Sequence, residues 1–251
     1  MKLKAALIVS TGVAVVATAV AGAGLGAGNG TCVIPKGSER VRLDPGGFTT
    51  RITNPWWPMT PGSRWVYRET DPEGSVQRVV VTVLGKTKLV ANGVTARVVR
   101  DVATEEGKPV EATSDYYAQD RCGNVWYLGE ATTEYKNGRP VSTKGSFEAG
   151  VDGAQAGVIV PARPTPGMGF RQEYLAGEAE DRGEIASLRE QAEVPFGHFG
   201  QGRVLMTRDL NPLEPKSLEF KFYARGIGLV LAIAISGGAD REELVRYTHG
   251  R

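Results

Sequence analysis

From Arg51 to the C-terminus, apolar side chains recur mostly at every second position, and clusters of Gly, Pro, Asn and Asp interrupt them at intervals of about a dozen residues. Successive side chains of an extended strand point to opposite faces, so this period confines the chain to antiparallel strands and hairpins. Residues 63–70 set Trp65 and Tyr67 against Arg64, Val66 and Arg68, and residues 76–90 carry Val79, Val81 and Val83 on one face. Asn92-Gly93 predicts a two-residue turn into a strand over residues 94–102. Over residues 110–119, Ala112, Ser114, Tyr116 and Ala118 form the predicted core face, with Glu111, Thr113, Asp115 and Tyr117 opposite. A tight connection at 120–124 leads into a strand over 125–135 and an Asn137-Gly138 turn; residues 203–208, 217–223, 229–235 and 242–247 return to strand.

Two stretches read differently. Residues 150–169, with Pro161, Pro164 and Pro166, read as a long surface connection. Residues 178–193 read as a short helix or a bent strand, because Ile185, Leu188 and Ala192 fall at three-and-four spacing while Gly183 opposes a helix. The apolar run at 227–235 is too short to cross a membrane and suits a strand buried on both faces. The expected fold is mainly β: a single curved antiparallel sheet or open barrel with long loops and at most one short helix.

Lys2 and Lys4 precede an uncharged run of small and apolar residues and Ala-x-Ala sites between Ala17 and Ala23, the layout of a secretory signal peptide over residues 1–27. The alternative is an uncleaved N-terminal anchor, since the run is long enough to cross a bilayer. Export makes a disulfide between Cys32 and Cys122, the only cysteines, the expectation. The expected division is then a signal peptide, an extension over residues 28–50 tied down by that bridge, and one β-rich domain over residues 51–249. The location expected is secreted or cell-surface, with no transmembrane domain after cleavage.

The 251 residues can bury one sizeable core. Thirty Lys and Arg stand against 28 Asp and Glu, so bulk positive charge does not point to nucleic acid. With two His and two Cys there is no all-cysteine zinc site, and neither metal nor cofactor is expected. Nucleophilic catalysis needs a base, usually His. His249 lies in a polar tail, and His198 alternates with Val194 and Phe196 as a half-buried strand residue. There is no Gly-x-Ser-x-Gly elbow and no phosphate-binding loop.

Carboxylates and aromatics remain. Asp115, Asp120, Glu130 and Glu134 flank one predicted hairpin, across which Asp115 and Glu130 could meet; Asp120 also suits a turn-capping role. All four tryptophans lie before residue 128, and Trp56-Trp57 between two prolines cannot both point inward. Trp56, Trp57, Trp65, Tyr117 and Trp126 are therefore the candidate ligand-binding residues, as broad apolar faces with polar tips.

Six blocks carry a family resemblance: NPWWPMTPGSRWVY at 54–67, SDYYAQDRCGNVWYLGE at 114–130, TKGSFEAGVDGA at 143–154, FRQEYLAGEAED at 170–181, VPFGHF at 194–199 and EFKFYARGIGLV at 219–230. On these the chain resembles a family of uncharacterised secreted β-rich proteins, mostly from actinobacteria. The resemblance implies location and architecture and assigns no catalytic residue. Cys122 stands where that pattern carries an ordinary polar residue, which makes the bridge an addition in this branch. The reading that results is an exported, non-enzymatic β-rich protein binding a small ligand or a cell-envelope partner. The alternative is a hydrolase of envelope or extracellular polysaccharide, using two carboxylates from Asp115, Glu130, Glu148 and Asp152.

Overall fold

The computed structural model describes residues 32–251, so the expected signal peptide lies outside the described residues. Within them there are sixteen strands, one 3-10 turn at Pro45–Gly47 and no α-helix. The strands are β1 (Phe48–Thr49), β2 (Arg64–Thr70), β3 (Val76–Leu89), β4 (Thr95–Glu105), β5 (Lys108–Asp120), β6 (Val125–Lys136), β7 (Arg139–Ser142) and β8 (Phe147–Glu148). They continue as β9 (Gln155–Val160), β10 (Gly169–Arg171), β11 (Glu173–Tyr174), β12 (Arg182–Val194), β13 (Gly197–Leu210), β14 (Leu218–Ala224), β15 (Gly228–Ser236) and β16 (Arg241–Thr248).

Thirteen of them form one antiparallel sheet in the order β10-β12-β13-β14-β15-β16-β2-β3-β4-β5-β6-β9-β11, with β1, β7 and β8 paired onto its members. The two ends of this order are consecutive in sequence. Residues 169–171 pair with β12, and residues 173–174 pair with β9. One stretch of chain thus straddles the gap, and the sheet is a barrel closed except for this seam. Gly157 of β9 makes the approach possible: a Cβ there would lie 2.4 Å from the carbonyl oxygens of Arg171 and Gln172.

Local sequence explains the hairpins. Asn137 and Gly138 both have positive φ (54° and 75°), as a two-residue turn between strands of right-handed twist requires. The turn at Asn92-Gly93 is one residue longer than expected. Val90 N–H donates to the Val94 carbonyl, enclosing Ala91, Asn92 and Gly93, and Gly93 takes the positive φ. Residues 178–193 are a bent strand. β12 shifts register against β13 between Ile185 and Ser187, Ser187 and Glu190, and Glu190 and Ala192. The first two shifts each add a residue to β12, the third adds residues to β13, and with the period of two broken in this way Ile185, Leu188 and Ala192 all reach the inner core.

Two other expectations need correction. The 150–169 stretch contains β9, whose Ala156, Val158 and Val160 are buried; its prolines come only after the strand. The predicted core face of β5 is not the side that faces the barrel interior. Tyr116 and Ala118 belong to a second, outer cluster with Val94, Trp126, Leu128 and Val158, against which Ile34, Val41, Leu43 and Phe48 pack. Both faces of β5 are buried because residues 32–48 cover the outer one. The Cys32–Cys122 disulfide ties this cover to the β5–β6 connection, with 6.2 Å between Cα atoms.

Candidate functional site

The period of two sorts the barrel interior into three layers. At one end Trp65, Val83, Leu205, Val230 and Leu244 pack as an ordinary core. Beside this core comes a belt of rings, with Tyr67 two residues on from Trp65 along β2 and Tyr223 opposite Leu205. Tyr67 of β2, Tyr117 of β5, Tyr127 of β6 and Tyr223 of β14 are all buried, and Trp57 joins them from the loop before β2. Beyond the belt the same inward register carries Glu69, Asp101, Asp115, Glu111, Lys221, Glu219 and Glu242. Core packing stops there and a cavity of about 490 Å³ opens, lined by the belt and by the polar end. A smaller space of about 200 Å³ adjoins it and shares Asp101, Glu111, Lys221 and Glu242. Exposed Lys144 and Glu178 stand among the lining residues at its mouth.

The rings form a continuous wall. Centroids of Trp57 lie 5.8 Å from Tyr223 and 5.5 Å from Tyr117; Tyr117 stacks on Tyr127 at 4.9 Å, and Phe147 meets Tyr127 edge-on at 5.3 Å. Gly228 makes room for Trp57, since a Cβ there would lie 2.7 Å from the indole Cδ1. The Tyr67 hydroxyl donates to the Leu229 carbonyl at 2.9 Å, and that of Tyr127 donates to Asp115 Oδ1 at 2.8 Å. Burial holds the phenols of Tyr67, Tyr117 and Tyr127 well above the ordinary tyrosine range, so these rings stay neutral.

Nine carboxylates and two lysines line the larger cavity. Over the described residues positive and negative side chains balance at 28 each, once Lys2 and Lys4 are set aside. The carboxylate-rich lining is therefore a matter of placement in a neutral chain. Lys221 offsets part of it, at 2.8 Å from Asp209 Oδ2 and 3.2 Å from Glu219 Oε2, and these anions hold its ammonium well above its usual range against the effect of burial. Burial and the crowding of carboxylates show in the titration of its neighbours. Burial raises Glu242 well above the carboxylate range, with Asp101, Glu69 and Glu219 adding repulsion. Asp181 is pushed up to about 7, first by burial and then by Asp209, Glu219 and Glu214, with Lys221 opposing. Its Oδ1 is buried and has no hydrogen-bond partner.

Of the residues singled out from sequence, Trp57, Tyr117, Asp115 and Glu130 line the cavity. Asp115 and Glu130 are direct register partners, and Glu130 accepts from the Thr132 hydroxyl at 3.0 Å. A bulge at Leu128 produces this arrangement, because it brings Tyr127 and Glu130, three residues apart, to the same face. The others lie elsewhere. Trp56 is buried beneath the Arg225 guanidinium, and Trp65 donates from Nε1 to the Ile227 carbonyl at the packed end. Trp126 sits in the outer cluster and donates to Asp120 Oδ2 at 2.8 Å. Asp120 also accepts from the backbone N–H groups of Cys122 and Asn124, and so holds its turn. Glu148 pairs with Lys88 at 3.0 Å outside the barrel, and Asp152 is exposed in a turn. His198 is exposed at the β12–β13 turn, where half-burial was expected.

Sequence reading missed Glu69, Asp101, Asp181, Lys221 and Glu242. A signal for most of them was present: each of Glu69, Asp101, Lys221 and Glu242 stands two residues from Tyr67, Val99, Tyr223 or Leu244, on the same strand face. Among the described residues no three His, Cys, Asp or Glu side chains converge as metal ligands, and no helix is long and apolar enough to cross a membrane.

No family model and no curated protein matches the chain. Solved structures that match include a protein assigned as exported, with a YmcC-like fold, from Bacteroides fragilis (14% identity, TM-score 0.45). Another is a protein assigned as a lipoprotein from Parabacteroides distasonis (12% identity, TM-score 0.41). Each alignment covers 77% of this chain and 98% of the other. These likenesses assign no function.

Proposed function

We propose that the protein is an exported, non-enzymatic carrier or sensor that holds a small ligand inside its barrel. One observation carries this reading: a cavity of about 490 Å³, walled by rings, stands where core packing stops. That volume falls within the range of about 300–1,000 Å³ typical of small-molecule sites. Export is supported by the bonded cysteine pair and by the charge and hydropathy layout of residues 1–27. The resemblance to secreted proteins points the same way.

Native mass spectrometry tests the reading. Protein mixed with a soluble extract of the producing organism is expected to carry a mass excess that denaturation removes, and Val99→Trp, which fills the cavity, is expected to lose it. An unliganded mass for the wild type, or the same excess on both proteins, would contradict the proposal.

The pairing of Asp115 with Glu130 inside the cavity favours a second reading, a carboxylate-dependent hydrolase of envelope polysaccharide. Turnover of such a polymer that is lost in both Asp115→Asn and Glu130→Gln would establish it over the carrier.

A further inference from the structure

The outer wall of the barrel, turned away from the cavity, carries a charge pattern of its own. We propose that the outer face of β16, β2, β3 and β4 is a docking surface for an anionic polymer that bears phosphate groups along a flexible backbone.

Strand register assembles this face. Trp65, Tyr67, Val79, Val81, Asp101 and Ala103 point inward, so their chain neighbours point out. In successive outer rows, Arg64 pairs with Thr82 and Thr82 with Arg100; Arg246 pairs with Val66; Arg68 lies between Glu243 and Arg78; and Arg241 meets Thr70. Strands lie about 4.8 Å apart and rise about 3.3 Å per residue, so these arginines are gathered in an area of about 15 by 20 Å. The rows hold no lysine and one carboxylate, Glu243, which takes up Arg68 at 2.7 Å and Arg241 at 2.9 Å. Arg100 donates to the Ser114 hydroxyl at 3.0 Å. Arg64, Arg78 and Arg246 are exposed and form no ion pair among the described residues. Elsewhere on the wall the charges are matched, as where Arg208 meets Glu184 at 2.7 Å.

The arrangement selects phosphate. Arg68 and Arg78 are direct register partners, and like charges opposite each other destabilise a sheet unless an anion lies between them. A phosphate offers oxygens in more than one plane and can bridge two guanidinium groups, whereas a planar carboxylate matches one fork at a time. The face also excludes rival partners. No aromatic side chain stands in these rows to stack on a base or to anchor at a bilayer interface. The wall of a barrel is convex, so a flexible chain can follow it across four strands, where a flat membrane or a stiff duplex touches fewer.

The test is fluorescence anisotropy of end-labelled inorganic polyphosphate titrated with the disulfide-bonded protein, with poly-L-glutamate, double-stranded DNA and phosphatidylglycerol vesicles as competitors. Polyphosphate is expected to bind, with an affinity that falls at least about tenfold between about 50 and about 200 mM salt. Arg78→Gln combined with Arg246→Gln is expected to weaken binding at least about tenfold and to flatten the salt dependence by about one to two released ions. Arg189→Gln combined with Arg203→Gln, an equal loss of charge at exposed sites of β12 and β13, is expected to leave both unchanged. If the first pair fails to fold, Arg64→Gln is read in its place. Equal weakening by the two pairs would overturn this face as the site. Displacement by polyglutamate as effective as by unlabelled polyphosphate would overturn the choice of phosphate. Equally effective vesicles or duplex would overturn the polymer in favour of a membrane or a nucleic acid. Failure to bind polyphosphate at either salt concentration would overturn the proposal outright.

Discussion

Removing the disulfide by replacing both cysteines with alanine is expected to lower the free energy of unfolding by about 4–5 kcal/mol, the chain-entropy contribution of closing a loop of this length. The bridge spans a sequence separation of 90 residues and joins the first described residue to the β5–β6 connection. The segment it anchors covers Val94, Tyr116, Trp126, Leu128 and Val158 with Ile34, Val41, Leu43 and Phe48. Without the bridge the cover is held by those contacts alone, and where it peels away the outer face of β5, β6 and β9 meets water. Hydrogen exchange in β5 and β6 is therefore expected to speed up ahead of global unfolding. Unfolding free energies of the two proteins that agree within about 1 kcal/mol would show that the cover needs no tether.

Arg171→Met is expected to cost about 3–5 kcal/mol, the scale for breaking up a buried charged group and its partners. Arg171 is 1% exposed at the end of β10, beside the seam. Its guanidinium donates to the carbonyls of Gly37 at 2.6 Å, Glu39 at 2.7 Å and Ala156 at 2.8 Å, and its backbone N–H donates to Pro35. One side chain thus joins the extension, β9 and β10. Methionine keeps much of the apolar stem but leaves buried carbonyls without donors, and hydrogen bonds to a charged group are worth about 1.5–3 kcal/mol each. Thermal or urea unfolding measures the loss; a change under about 1 kcal/mol would mean that strand pairing alone holds the seam.

What was legible in the sequence follows from where the period of two survives. The strands from β2 to β6 keep it over most of their length, so these strands and the Asn137-Gly138 turn could be read directly, whereas the face that Glu130 shares with Tyr127 depends on the bulge at Leu128. β12 loses it through bulges, and its spacing imitates a helix. β9 is six residues long beside a proline cluster, and its burial depends on strands distant in sequence. The core face of β5 was ambiguous for a physical reason: when both faces are buried, the apolar one need not be the interior one. The cavity's acidic end went unseen because inward carboxylates look like a solvated face until the barrel closes. Its ingredients are spaced along β2, β4, β5, β6, β14 and β16, and only closure brings them to one end.

The central claim is that this end of the barrel buries a crowd of carboxylates away from water, and its signature is the pH dependence of stability without ligand. Asp181 is raised from 3.8 to about 7, and Glu219 and Glu242 are raised too, so between these limits the folded protein binds more protons than the unfolded chain. Their contribution is fully present below the unfolded pKa and is lost as pH rises through the folded one. Glu39 and Glu243 are shifted down and act only at lower pH. Urea unfolding should therefore show the protein more stable at about pH 5 than at about pH 8, by about 2–4 kcal/mol. Stability that is level or rises across that interval would contradict the claim.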